Sequence, residues 1–390
     1  MLSPVRRLLF ILPLLLLGQS LCCQGIPLYR NGSGGGLFLD PDYIWRYNLY
    51  EHSRWGLGLV YSADSAQSWH AVANAGYGLH DKQLKWGVGA SRLVDARHDG
   101  RLYLMATREY AAACNRHMQW ASLIDLGGLA SFMSLRMSDQ LSATAGYRWY
   151  GGGRWFYVVD MRLFRGGRLF DNDGLLYRKD GDVVESENGL ELRFNYTHGG
   201  FAAEAVVGRT WPAQKTIAQL LVEHNAEFDL SPFTFHLYAQ AGITPPNTPF
   251  IYMFDLGGTL GAPLWFRNSL LTVEPCEYTA NAFTLGSLRL ALAEPLFKAW
   301  NSVLVIGTCP RPFVGLTGAW GMMWGQADDG TLAYEGLDLQ APSHAVAEAT
   351  VGIDGLLRWG YVDYGAALAV SLLPDRSRTA ILLTAELKMN

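Results

Sequence analysis

The sequence predicts an all-β chain, an antiparallel transmembrane β-barrel of about 16 strands, with roughly 12 to 16 open on spacing alone. Three observations predict it. Apolar and polar residues alternate with period two in segment after segment from Tyr43 to Met389, and that period belongs to strands because successive side chains leave opposite faces of the pleat. Only 17% of the 390 residues are charged, while 13% are aromatic and 43 are Gly, a balance that suits strands and tight turns. An export segment also stands at the N-terminus.

That segment comes first. Arg6 and Arg7 precede the apolar run Leu8–Leu17, followed by Gly18, Gln19 and Ser20. A positive start and an apolar stretch of about ten residues are too short to cross a bilayer and match a secretory signal peptide. The expected division is residues 1–25 as signal peptide and 26–390 as one outer-membrane barrel domain. Cys22 and Cys23 end the segment, but neither has a small residue other than cysteine directly ahead, as a lipidated cysteine would. Beyond it, no run approaches the 18 or so uninterrupted apolar residues of a membrane helix. Cys114, Cys276 and Cys309 are three, widely spaced and without a C-x-x-C pair, so neither a disulfide framework nor a cysteine zinc site is expected.

The strands follow in order. Gly32–Gly36 resembles a phosphate loop only in composition and reads as a linker. Tyr43, Trp45, Tyr47 and Leu49 open the first strand; Trp55, Leu57, Leu59 and Tyr61 the next; His70–Leu79 a weaker one. Leu84–Ala90 sets Lys85, Gly87 and Gly89 on its polar face, and Arg101–Tyr110 follows. Cys114–Ser138 is ambiguous between two strands and one broken helix. Leu141–Trp149 and Trp155–Leu163 alternate cleanly, and Gly166–Asn188, rich in Asp, Gly and Arg, reads as a long loop. Gly189–Trp211 is a hairpin turning at Thr197-His198-Gly199-Gly200, with Leu190, Leu192, Phe194 and Tyr196 against Glu191, Arg193 and Asn195. Ala218–Val222 and Phe233–Ile243 come next, then a loop from Thr244 to Pro249. Ala282–Ala293, Arg311–Trp324, Ala345–Asp354, Tyr361–Leu373 and Thr379–Met389 complete the set. Tyr43, Tyr50, Trp55, Tyr61, Trp149, Tyr150, Trp155, Tyr196 and Trp211 lie at strand ends, as interfacial girdles require. A secreted β-sandwich array is the competing fold.

The polar faces supply the candidate site. Arg148, Asp160, Arg162, Glu191, Arg193, Glu204, His236 and Arg289 are the expected lumen-lining residues. Mixed signs across a lumen either pair and plug it or form an electrostatic filter. No enzyme is expected: the nine His are scattered, with no H-E-x-x-H and no G-x-S-x-G. His236, on a polar strand face, is where a barrel-embedded hydrolase would be sought. No cofactor or metal is expected. A formal charge of −4 excludes a nucleic-acid footprint; the expected partners are outer-membrane lipid, lipopolysaccharide and other envelope proteins.

One part of the chain carries a family resemblance. Glu277-Tyr278-Thr279-Ala280-Asn281, the strand Leu288–Leu292, the turn Glu294–Lys298, the segment Glu348–Leu357 and Tyr361-Val362-Asp363-Tyr364 lie within Phe254–Leu373. This third of the chain resembles the barrel of the bacterial surface-antigen superfamily that includes the assembly factor BamA, and most of all an uncharacterised Bacteroidota group. The resemblance implies an outer-membrane barrel with a role in membrane-protein assembly or translocation; a passive channel for small solutes is the alternative. Asn281 stands where that group tends to have an acid, and Tyr361 where it tends to have an arginine. Phe254–Asn268 contains no Arg-Gly pair for the inward loop tip of the superfamily. With strands expected from near Tyr43, no soluble substrate-binding domain is expected ahead of the barrel.

Overall fold

The computed structural model describes residues 25–48, 51–112, 137–151, 155–170, 188–211, 214–246, 248–256, 270–273, 277–301, 306–324, 331–334, 337–342, 344–359, 362–373 and 378–387. Its strands, in order, are β1 (Ile26–Arg30), β2 (Gly34–Asp40), β3 (Trp45–Asn48), β4 (His52–Asp64), β5 (Trp69–Gly78), β6 (Leu84–Asp95), β7 (Gly100–Ala112), β8 (Met137–Gly151), β9 (Trp155–Phe170), β10 (Asn188–His198), β11 (Phe201–Trp211), β12 (Thr216–Leu230) and β13 (Phe233–Ile243). They continue as β14 (Phe254–Asp255), β15 (Thr279–Ala280), β16 (Ala282–Leu292), β17 (Ala299–Asn301), β18 (Ile306–Thr308), β19 (Arg311–Met322), β20 (Thr331–Tyr334), β21 (Leu337–Gln340), β22 (Val346–Trp359), β23 (Val362–Ser371) and β24 (Thr379–Leu387).

The long strands pair antiparallel with their sequence neighbours, and the ladder skips from β13 to β16, from β16 to β19 and from β19 to β22. β2 and β3 both pair along β4, on either side of the 3-10 turn Pro41–Tyr43, so they count as one interrupted strand. With β1 and the six short pieces set aside, the sheet is a sixteen-stranded antiparallel transmembrane barrel. No ladder among the described residues joins β24 to β1, β2 or β3. No helix among them is long and apolar enough to cross a membrane; the crossing elements are strands.

The alternation in the sequence becomes two faces. On β10 and β11, Leu190, Leu192, Phe194, Phe201, Val207 and Trp211 are exposed, while Glu191, Ala202, Glu204 and Val206 are buried. A soluble sandwich would reverse this. An outward apolar belt over a polar, filled interior is the barrel arrangement. Trp55, Tyr61, Tyr150 and Trp211 of the expected girdles are exposed as well.

The ladder sorts the connections by end. The segments 49–51, 79–83, 113–136, 171–187, 244–281 and 323–345 join strands at one end; the other end has mostly tight turns such as Gly199-Gly200 and Ser231-Pro232.

Three expectations need correction. Gly32–Gly36 is no linker: Asn31 Oδ1 accepts from Ser33 Oγ (2.9 Å) and Gly35 N (2.8 Å), closing the β1–β2 hairpin. Tyr43 leaves the outward row, because the 3-10 turn at Pro41 breaks the two-residue period. Its ring lies against Gly58, where a Cβ would come within 2.8 Å of Tyr43 Cδ2, and the Arg46 guanidinium sits 4.0 Å over it. The expected loop from Gly166 starts later, since β9 runs to Phe170. The ambiguous stretch 114–138 lies outside the described residues except for the start of β8.

Candidate functional site: an arm folded into the barrel

The connection between β13 and β16 turns inward. Thr244 and Asn281 fasten its two ends: Thr244 N donates to Asn281 O (2.7 Å) and Asn281 Nδ2 to Thr244 Oγ1 (3.1 Å). Trp324, beyond β19, ties in as well, through its Nε1 to Thr244 O (2.7 Å) and its backbone N to Asn281 Oδ1 (3.1 Å). Asn281 therefore works here as a neutral clamp with both its donor and its acceptor used. Tyr361, the other family departure, lies outside the described residues.

Beyond the clamp, the described residues of the arm are largely apolar and buried. Tyr252 is fully buried against Val206, Ile217 and Ile251. Phe254, Leu256, Leu270, Val273, Tyr278 and Ala280 pack on inward residues of the wall, among them Leu221, Phe283 and Val346. The rings of Phe254 and Phe283 stand 4.7 Å apart and tilted by 49°, an arrangement in which the edge of one ring meets the face of the other. Gly242 makes room, since a Cβ there would fall 2.6 Å from both rings.

Two wall carboxylates hold the arm. Tyr252 Oη donates to Glu191 on β10, while Gln219 Nε2 on β12 donates to Tyr252 O (2.8 Å). On β22, Glu348 accepts from Leu271 N (2.9 Å), Thr272 N (2.8 Å) and Thr272 Oγ1 (3.0 Å). A buried carboxylate is costly unless its oxygens are filled, and here the arm itself fills them.

No family model matches the sequence, and no curated protein matches it. Solved structures do. BamA from Haemophilus ducreyi lacking POTRA domains 1-3 matches at 11% identity and a TM-score of 0.51, covering 90% of this chain and 70% of that one. The fold is a BamA-like barrel. CdiB from Escherichia coli aligns at 12% identity and a TM-score of 0.49 over 86% of this chain, which spans 60% of the length of CdiB.

At the same end of this BamA-like barrel, β4, β6, β7 and β8 carry a cluster of paired charges. Lys85, 1% exposed, lies 3.2 Å from Asp139, 3.6 Å from Asp81 and 3.8 Å from the centroid of Tyr110, whose Oη donates to Asp81 (2.8 Å). Arg108 reaches Gln83 (2.7 Å) and Asp139 (3.1 Å). Arg54 donates to Glu109 (2.6 Å) with Glu51 at 3.7 Å, and Arg46 stands 3.8 Å from Glu109. Surface pairs are worth little; here Lys85, Asp81 and Arg54 are enclosed, whereas Arg108 and Glu109 stay partly exposed.

The expected site residues fall as follows. Asp160 stands directly across the ladder from Arg193, and Arg162 from Glu191; the Asp160 and Arg162 side chains are outside the described part. Glu191 accepts from Arg193 (2.8 Å) besides Tyr252. Glu204 is buried opposite Asn195. His236 pairs with Glu227 at 3.2 Å and stands across from Arg289, which bonds Asp354 and lies 3.8 Å over Phe313. His236 thus sits among charged residues of neighbouring strands. Arg148 faces Arg101 across the ladder. Arg101 turns to Asp99 (2.6 Å) and Gln67 O (2.7 Å), and the buried Arg148 Nε has no hydrogen-bond partner among the described residues. Tyr252, Thr272 and Glu348, which close the site, are absent from the sequence-based set. The one available signal was a buried-looking Glu on a polar strand face.

Proposed function

We propose that this protein is an outer-membrane barrel that handles other envelope proteins, in membrane-protein assembly or translocation, and that it is not an enzyme. The observation that carries this reading is the arm Thr244–Asn281, latched at Glu191 and Glu348 inside the wall. A pore for passive diffusion needs an open lumen; here the described part of the arm packs inside one side of the wall, and paired charges stand along another side of the same end. The likeness to BamA supports the same class of role. In this proposal residues 1–25 direct export and 26–390 form the barrel, a relative of the uncharacterised Bacteroidota group. The end with long connections faces out, as in outer-membrane barrels. Arg148, Asp160, Arg162, Glu191, Arg193, Glu204, His236 and Arg289 line the lumen, and lipid, lipopolysaccharide and envelope proteins surround it.

Two measurements test the role. In planar bilayers the intact protein is expected to give no stable conductance steps; regular steps would favour the passive channel. Depletion in cells is expected to lower the amounts of other outer-membrane or surface proteins. Unchanged amounts of all of them would remove the assembly and translocation reading.

A further inference from the structure

We propose that the outer wall of the β10–β11 hairpin holds one phosphorylated lipid of the outer leaflet, its phosphate on Arg209 and an acyl chain along Leu190, Leu192 and Val207. A groove of about 620 Å³ opens there, lined by these residues with Thr210, Trp211 and Gln214. All three apolar side chains are exposed on the lipid face, and the register sets Leu192 across from Val207 and Leu190 across from Arg209. The groove is thus apolar toward the barrel middle and cationic toward the long-connection end.

The charge identifies the occupant. Arg209 is exposed on a lipid-facing wall, where a charge is tolerated only near the interface. Among the described residues no carboxylate pairs with it; its partner is the neutral Gln214 Oε1, 3.0 Å from Nη2. Gln214 has a φ of 55°, a left-handed backbone uncommon outside glycine, and that turn aims its amide back over the groove. A guanidinium so held keeps its remaining donors for two oxygens of an anionic group such as phosphate. Trp211, also exposed, stands at the same level, where indole rings mark the headgroup region. A free phosphate would leave the apolar half of the groove unused, whereas a lipid uses both halves. That the lipid belongs to the outer leaflet rests on the orientation proposed above.

The test is native mass spectrometry of the full chain in detergent with bis-phosphorylated lipid A as the probe. The wild type is expected to retain one lipid A, and Arg209→Gln to weaken its retention about tenfold. Arg209→Lys keeps the charge and is expected to bind in between; Leu192→Ala weakens binding with the cation intact. A heat-shifted band on gels shows that each variant is folded. Equal retention by wild type and Arg209→Gln would overturn the site, as would equal binding of dephosphorylated lipid A. Displacement by millimolar inorganic phosphate would make it an adventitious ion site only. Orientation is read separately, by labelling Lys82→Cys on intact cells, so that its failure is not mistaken for failure of the groove.

Discussion

At Glu348 one carboxylate serves two backbone amides and a hydroxyl from Leu271 and Thr272, 77 and 76 residues away in sequence. The distance explains why the role was not legible. Period two tells which face a residue occupies, but it says nothing about what an inward side chain meets. Partners across the barrel are set by which strands curve toward one another. Glu348→Ala removes the acceptor and leaves three donors buried. Each such loss costs on the order of 1–3 kcal/mol, so the arm is expected to loosen locally by at least about 3 kcal/mol while the sheet keeps its fold. Hydrogen exchange by mass spectrometry reads this directly: exchange in a peptide covering Leu271 and Thr272 should accelerate roughly a hundredfold, with β10–β13 unchanged. Unchanged exchange there would show that Glu348 does not hold the arm.

Among the elements, strands were legible and the arm was not. A strand announces itself through its own side chains, as β10 and β11 do. The arm begins Thr244-Pro245-Pro246 and looks like any exposed loop, yet Thr244 and Thr248 are buried. Its burial comes from Phe283, Val346 and Gly242, residues of other elements. The turn at Pro41–Tyr43 was missed for a related reason, since alternation in Tyr43–Leu49 continues in sequence across a bend in space. The hairpin supplies a direct test of the faces. Ala205 lies in the outward row with Phe201 and Val207, whereas Asn195 lies in the inward row with Glu191. Ala205→Arg is expected to cost about 2–4 kcal/mol near mid-depth and to lower the yield of folded protein in lipid vesicles. Asn195→Arg places its charge opposite Glu204 and is expected to fold nearly as well as wild type. If both insert equally, the hairpin does not face lipid as described.

Across the whole molecule, closure and charge are linked. The arm covers a wall whose inward acids are Glu191, Glu204, Glu223 and Glu348, with Arg193 bonded to Glu191. On the far side the bases are already engaged: Lys85 with Asp139, Arg54 with Glu109. Length divided by strand spacing bounded the strand number at roughly 12 to 16 without fixing it; this asymmetry was not legible at all, because it depends on which acids the arm meets. Replacing residues 249–273 with a short Gly-Ser linker removes the apolar packing of the arm and leaves the paired charges in place. The trimmed barrel is expected to conduct in stable steps and to favour cations, since carboxylates facing water in a narrow path concentrate them. The reversal potential under a salt gradient gives the sign. Adding Glu191→Gln and Glu348→Gln to the trimmed barrel should reduce that preference without closing the path. A preference for anions would mean that Arg148, Arg193 and Arg289 dominate the opened lumen.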